Sequence, residues 1–115
     1  MSDFLFLYRA PAGSPHTPDS PLQLQERLQR WNAWFKELEA KGHLRSIGHP
    51  LGSTGAVVED QRGTVHDGPY AESKDIVMGF SIVEARDLPH ASALAAGCPV
   101  LLTGGLVEVR PIRQM

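Results

Sequence analysis

One long amphipathic helix set beside apolar strand-like runs is the feature that most restricts what this chain can fold into. Ser20 reads as an N-cap, Pro21 takes the first helical position, and Gln23 completes a capping-box pattern with Ser20. Leu24, Leu28, Trp31, Phe35 and Leu38 then recur at spacings of four and three, which lines one face. Gly42 is the expected stop, giving a helix of about five to six turns. A stripe of that length must be buried against another layer, and the flanking runs supply a sheet. Phe4-Leu5-Phe6-Leu7-Tyr8 is apolar on both parities, as in a central strand covered on two sides.

Between that strand and the helix, residues 10–21 hold four prolines, Pro11, Pro15, Pro18 and Pro21, with Gly13 among them. In so small a domain a connection of this length and irregularity is a candidate flap over a cleft. After Gly42, Leu44 and Ile47 lie in a short strand that ends in the turn Gly48-His49-Pro50-Leu51-Gly52. Ala56–Glu59 and Thr64–His66 read as a hairpin around Asp60-Gln61-Arg62-Gly63. Asp67-Gly68-Pro69 is a turn, and Asp75–Glu84 follows as the most apolar strand. One parity of that strand carries Ile76, Met78, Phe80 and Ile82; the other carries Val77, Gly79, Ser81 and Val83. The bulky face is expected to take the helices, and the small one to leave room for a partner or ligand. Asp87 caps a second, shorter helix with Pro89 in its first turn and Ala91, Leu94 and Ala95 on its buried side, ending at Gly97. Leu106–Arg110 is the last strand, closed by Pro111. The order predicts a single domain over residues 1–115 of the α+β class, a ferredoxin-like βαββαβ sandwich with an inserted β-hairpin. Helices on one side leave the other sheet face open, and dimerising through the sheet is its simplest cover.

Composition removes several functions. A net charge of −2 with acids and bases interspersed provides neither a basic face for nucleic acid nor a polybasic segment for membranes. The single cysteine, Cys98, excludes an internal disulfide framework and a Cys-rich zinc site. Met1-Ser2-Asp3 enters an apolar run with no positive leader, and no run of about eighteen apolar residues occurs, so a cytoplasmic protein is expected.

Asp67, Glu72 and Lys74 are the first candidates for chemistry, because a carboxylate and an ammonium around a cleft bind a polar ligand and a desolvated carboxylate serves as a general base. The alternative is a self-bonded turn at Asp67 with Glu72 and Lys74 as a surface pair. Trp34, beside the apolar stripe, is read as a core or dimer-contact aromatic or as a ligand-stacking one. His16, His43, His49, His66 and His90 show no metal spacing, although His49 and His66 end separate strands that could meet. Cys98 follows a helix C-terminus, the wrong end for thiolate activation, and reads as a buried, inert thiol. Glu108 and Arg110 share a strand face, where they form an ion pair or line a cleft that Arg9 can join. No cofactor motif is present.

Asp67-Gly68-Pro69-Tyr70 with Ala71-Glu72-Ser73-Lys74-Asp75 resembles the Asp-Gly-Pro-Phe signature of the DGPF branch of the YCII-related family. Trp31 to Gly42 with Leu44, Gly79-Phe80, Cys98-Pro99 and Glu108-Val109-Arg110-Pro111 agree with it in order. The resemblance implies a homodimer of the dimeric αβ-barrel kind with a pocket between helix and sheet, and makes Asp67, Gly68, Pro69, Tyr70, Glu72 and Lys74 pocket-rim or fold-fixing positions. The acid–base His and Asp of the wider family fall at Trp31 and Cys98 here, so that mechanism does not carry over. The expected function is binding of a small aromatic or anionic molecule near Asp67, Tyr70 and Glu72. If chemistry occurs, Asp67 or Glu72 is the base and Lys74 or Arg110 holds an anionic group, with Trp34 and His49 as further ligand contacts. The resemblance also implies a rival, a non-enzymatic regulatory module with an alternative sigma factor as protein partner.

Overall fold

The computed structural model describes residues 1–11, 20–69 and 75–114. Six strands and two helices follow one another as β1 (Ser2–Pro11), α1 (Pro21–Ala40), β2 (Leu44–Pro50), β3 (Gly55–Glu59), β4 (Thr64–Gly68), β5 (Asp75–Ala85), α2 (Leu88–Ala95) and β6 (Leu106–Pro111), with a 3-10 turn at Pro99–Thr103 before β6. β2, β5, β1 and β6 form one antiparallel sheet in that spatial order, while β3 and β4 pair only with each other. This mixed α+β arrangement is compatible with a ferredoxin-like topology.

Local chemistry fixes the element ends. The Ser20 hydroxyl accepts the Gln23 amide at 3.1 Å while the Gln23 side chain accepts the Ser20 amide at 2.9 Å, so both halves of the capping box form. At the other end Gly42 adopts φ +77°, letting the His43 amide turn back onto the Leu38 carbonyl at 2.8 Å. Asp87 caps α2 by accepting the His90 amide at 2.9 Å.

The core lies between the helices and one face of the sheet. Phe4, Phe6 and Tyr8 point into it from β1, Trp34 and Leu38 from α1, and Ala91 and Ala95 from α2. From β5 the buried residues are Gly79, Ser81, Val83 and Ala85. The faces of β5 are therefore the reverse of the expectation: the small parity takes the helices, and the bulky one lies on the open side. The reason is volume. Phe6, Tyr8, Trp31, Trp34 and Phe35 stack in one continuous aromatic layer, with ring centroids 4.9 to 6.2 Å apart, and the strand opposite them has room only for small side chains.

The stripe on α1 is also shorter than its periodicity implied. Trp34 and Leu38 are buried and Trp31 and Phe35 half-buried, but Leu24 and Leu28 are exposed. Only the second half of the helix packs on the core formed by the described residues. The proposed flap falls mainly on residues 12–19, outside the described residues.

Candidate functional site

Two polar features interrupt the apolar framework, one inside the helix–sheet layer and one on the open sheet face. Inside, register places Tyr8 beside Gly79 and Phe6 beside Ser81, so the Tyr8 phenol reaches along the layer to Ser81. Tyr8 donates to Ser81 Oγ at 2.8 Å, and Ser81 Oγ donates to the Ile47 carbonyl at 2.7 Å. The chain of hydrogen bonds ties β1, β5 and β2 together at a serine that is fully buried. Burial pushes the Tyr8 phenol far above its ordinary range against the opposing pull of the Ser81 hydrogen bond. Burial also raises the Cys98 thiol to about 11, opposed by the Val100 backbone amide. Both groups stay protonated at neutral pH, so neither serves as a base there.

The Ser81 link has a measurable energetic consequence. Ser81→Ala leaves the buried Tyr8 hydroxyl without its acceptor and is expected to cost about 1–3 kcal/mol in urea unfolding. Tyr8→Phe together with Ser81→Ala is expected to be less destabilising than the sum of the two, with a coupling of about 1 kcal/mol. Strict additivity would show that the hydrogen bond contributes nothing.

On the open face, Leu5 stands opposite Ile82 and Leu7 opposite Phe80, while β6 sets Arg110 beside Leu5 and Glu108 beside Leu7. Arg9 pairs with Glu108 at 3.1 Å, its side chain only 13% exposed, and Arg110 approaches the other Glu108 oxygen at 3.4 Å. At the other end of β1 Asp3 faces Glu84 across the β1–β5 ladder, and Arg45 reaches Asp3 at 3.4 Å and Glu84 at 3.9 Å. His49 packs edge-on to Phe80, with ring centroids 6.1 Å apart. A bulge at Tyr8/Arg9 leaves Met78 without a partner in β1, and all of Leu5, Leu7, Met78, Phe80 and Ile82 are half-buried.

The sequence candidates separate. Asp67 is exposed, in the two-stranded ladder opposite Ala56, and the Gly68–Pro69 bond after it is cis. Tyr70, Glu72 and Lys74 lie outside the described residues. Trp34 is in the core at 6% exposure. His49 and Arg110 are exposed at opposite edges of one sheet face, His49 on β2 and Arg110 on β6. His66 pairs with Glu59 at 3.1 Å, a different partner from that of His49. Among the described residues there is no group of three or more His, Cys, Asp and Glu placed to hold a metal ion. Among them, too, no helix is long and apolar enough to cross a membrane.

Sequence reading overlooked Ser81 as a site residue; its only signal was a lone hydroxyl in an apolar strand. It also overlooked the pair His43 and His90, whose rings meet edge-on at 5.0 Å. His43 Nδ1–H donates to the Glu84 carbonyl at 2.9 Å, and His90 Nδ1 accepts the Arg86 amide at 3.1 Å, which assigns opposite tautomers to the two rings. The His90 pKa is lowered, first by desolvation and then by Arg86 and His43.

A search of curated proteins finds no match. A family model for the YCII-related domain matches residues 13–115, a span that takes in α1, every strand after β1, and the Trp31 and Cys98 positions. With nearly the whole chain covered, this protein belongs to the YCII-related domain family.

Proposed function

We propose that this chain is a homodimeric binding module of the DGPF-type branch, assembled by pairing the open faces of two sheets. The observation that carries the reading is the make-up of that face. Its centre is apolar, formed by Leu5, Leu7, Met78, Phe80 and Ile82, and its borders are charged, as in an interface with an apolar core and a polar rim. Ion pairs frame that centre: Glu108 with Arg9 and Arg110 beside β6, and Arg45 of β2 with Asp3 and Glu84 at the other end of the strands. A two-fold axis between the faces sets the apolar centre of one copy against that of the other.

The same reading makes the module a binder and not a proton-transfer enzyme. The helix–sheet layer is filled by Phe6, Tyr8, Trp31 and Trp34, and its phenol and thiol are both held neutral by burial. Ligand contact is then left to surfaces outside that layer.

Phe80→Glu is the direct test, because it buries a carboxylate at the centre of the paired faces while leaving the aromatic layer on the other side untouched. Light scattering after size exclusion is expected to give a dimer mass for the wild type and a monomer mass for the variant. Near-ultraviolet circular dichroism from Trp31 and Trp34 is expected to stay unchanged, which separates dissociation from unfolding. A wild type that is monomeric at tens of micromolar, or a folded variant that stays dimeric, overturns the reading.

A further inference from the structure

Trp34 carries a polar atom that has no hydrogen bond among the described residues. The residue is 6% exposed, its ring contacts are Phe6, Tyr8, Trp31 and Phe35, and its indole N–H has no acceptor among the described residues. Buried indole N–H groups are ordinarily paired, since an unsatisfied donor costs about 1–3 kcal/mol. The nitrogen faces Gly97: a Cβ built there would lie 3.2 Å from Nε1 and 3.3 Å from Cδ1. Gly97 therefore packs close against the Nε1–Cδ1 edge of the indole, where a methyl group would crowd the ring.

Trp34 and Gly97 both line a groove of about 410 Å³ between α1 and the segment from Ala96 to Leu102. Arg30, Ala33, Trp34 and Glu37 form the α1 wall, at the spacing that puts them on one helix face. Cys98, Pro99, Leu101 and Leu102 form the other wall, with Leu102 71% exposed. Glu37 is occupied by Lys41 at 2.9 Å, whereas Arg30, one turn before Trp34, has no ion-pair partner among the described residues. A trough with apolar residues on its far wall thus has two donor-bearing side chains, Arg30 and Trp34, one turn apart on its α1 wall.

We infer that this groove binds a small monocarboxylic acid with an apolar body, its carboxylate accepting from Trp34 Nε1–H and the Arg30 guanidinium while the body lies against Leu101, Leu102 and Pro99. A carboxylate matches both donors at once: it supplies the acceptor that the buried indole lacks and the anion that the rim cation lacks. Ala33 and Gly97 are small where the head group must approach. The groove is on the helical side of the domain, away from the sheet face of the proposed dimer, so the inference goes beyond that reading and stands or falls separately from it.

The probe is 4-phenylbutyrate, with 4-phenylbutyramide as its uncharged counterpart, added to the full-length protein and followed by the tryptophan indole N–H signals in proton–nitrogen NMR. Trp34→Phe assigns the two signals. Titration of the acid is expected to move the Trp34 signal downfield and leave Trp31 nearly in place. Arg30→Gln, an exposed position, is expected to weaken binding about tenfold or more, and so is replacing the acid by its amide. An unmoved Trp34 signal at millimolar acid overturns the inference, as does equal binding of acid and amide or undiminished binding by Arg30→Gln.

Discussion

Phe6→Ala is expected to lower the stability of the domain by about 3–5 kcal/mol, seen as a matching loss in urea unfolding and a fall in Tm of about 12–20 °C. Phe6 is fully buried in the central strand, stacks on Trp34 with ring centroids 6.1 Å apart and planes 13° from parallel, and lies beside Ser81 across the ladder. Its removal deletes apolar burial and leaves a cavity bounded by a strand and an indole, neither of which can collapse far into it. Against a typical domain stability of about 5–15 kcal/mol, that is a large share. Leu5→Ala, on the opposite face of the same strand, is the informative control. Leu5 is half-buried in one chain, so in the proposed dimer its truncation weakens dimerisation, read by light scattering, whereas Phe6→Ala lowers the stability of the single chain. A loss below about 1 kcal/mol for Phe6→Ala would mean that the aromatic layer repacks freely around the gap.

The capping box at Ser20 and Gln23, the stop at Gly42 and the cap at Asp87 were legible because each is a contract between residues a few positions apart. The strand and helix order was legible for the same reason. The facing of β5 was not, although its two parities were plain. Which parity turns inward depends on the volume already committed by other elements: with two indoles and three benzene-type rings in the layer, Gly79 and Ser81 fit and Phe80 does not. Periodicity likewise showed that Leu24 and Leu28 share a face with Trp31, but it carries no information on how much of that face packs on the core. The Tyr8–Ser81 bond joins residues 73 apart, and only the β1–β5 register brings them together. Asp67 reads as a turn residue in the sequence but lies within β4 opposite Ala56, because β4 runs on to Gly68 in its pairing with β3, and that pairing is decided by partners and not by local turn chemistry.

Gly48→Ala is expected to cost about 3 kcal/mol or more, the largest effect of any single-methyl change in the sheet. Between Ser46 and His49, β2 advances three residues while β5 advances two, from Ile82 to Phe80, so β2 carries an extra residue there. Gly48 takes that place with φ +70°, a left-handed conformation that costs an L-residue about 1–2 kcal/mol. In addition, a Cβ at this position runs into the backbone carbonyl of Phe80, which cannot swing aside because it belongs to the central sheet. Gly42→Ala separates the two contributions, since Gly42 has φ +77° but open space around its Cβ direction and should show the conformational part alone. The difference between the two variants in urea unfolding then measures how firmly β2 is held against β5. A large difference means the irregularity pins the edge strand and aims His49 at Phe80, so Gly48→Ala should also weaken the sheet-paired dimer, as read by light scattering. If the two variants cost the same, β2 moves off Phe80 without penalty, and the His49 border of the open face is too loosely held to specify a partner.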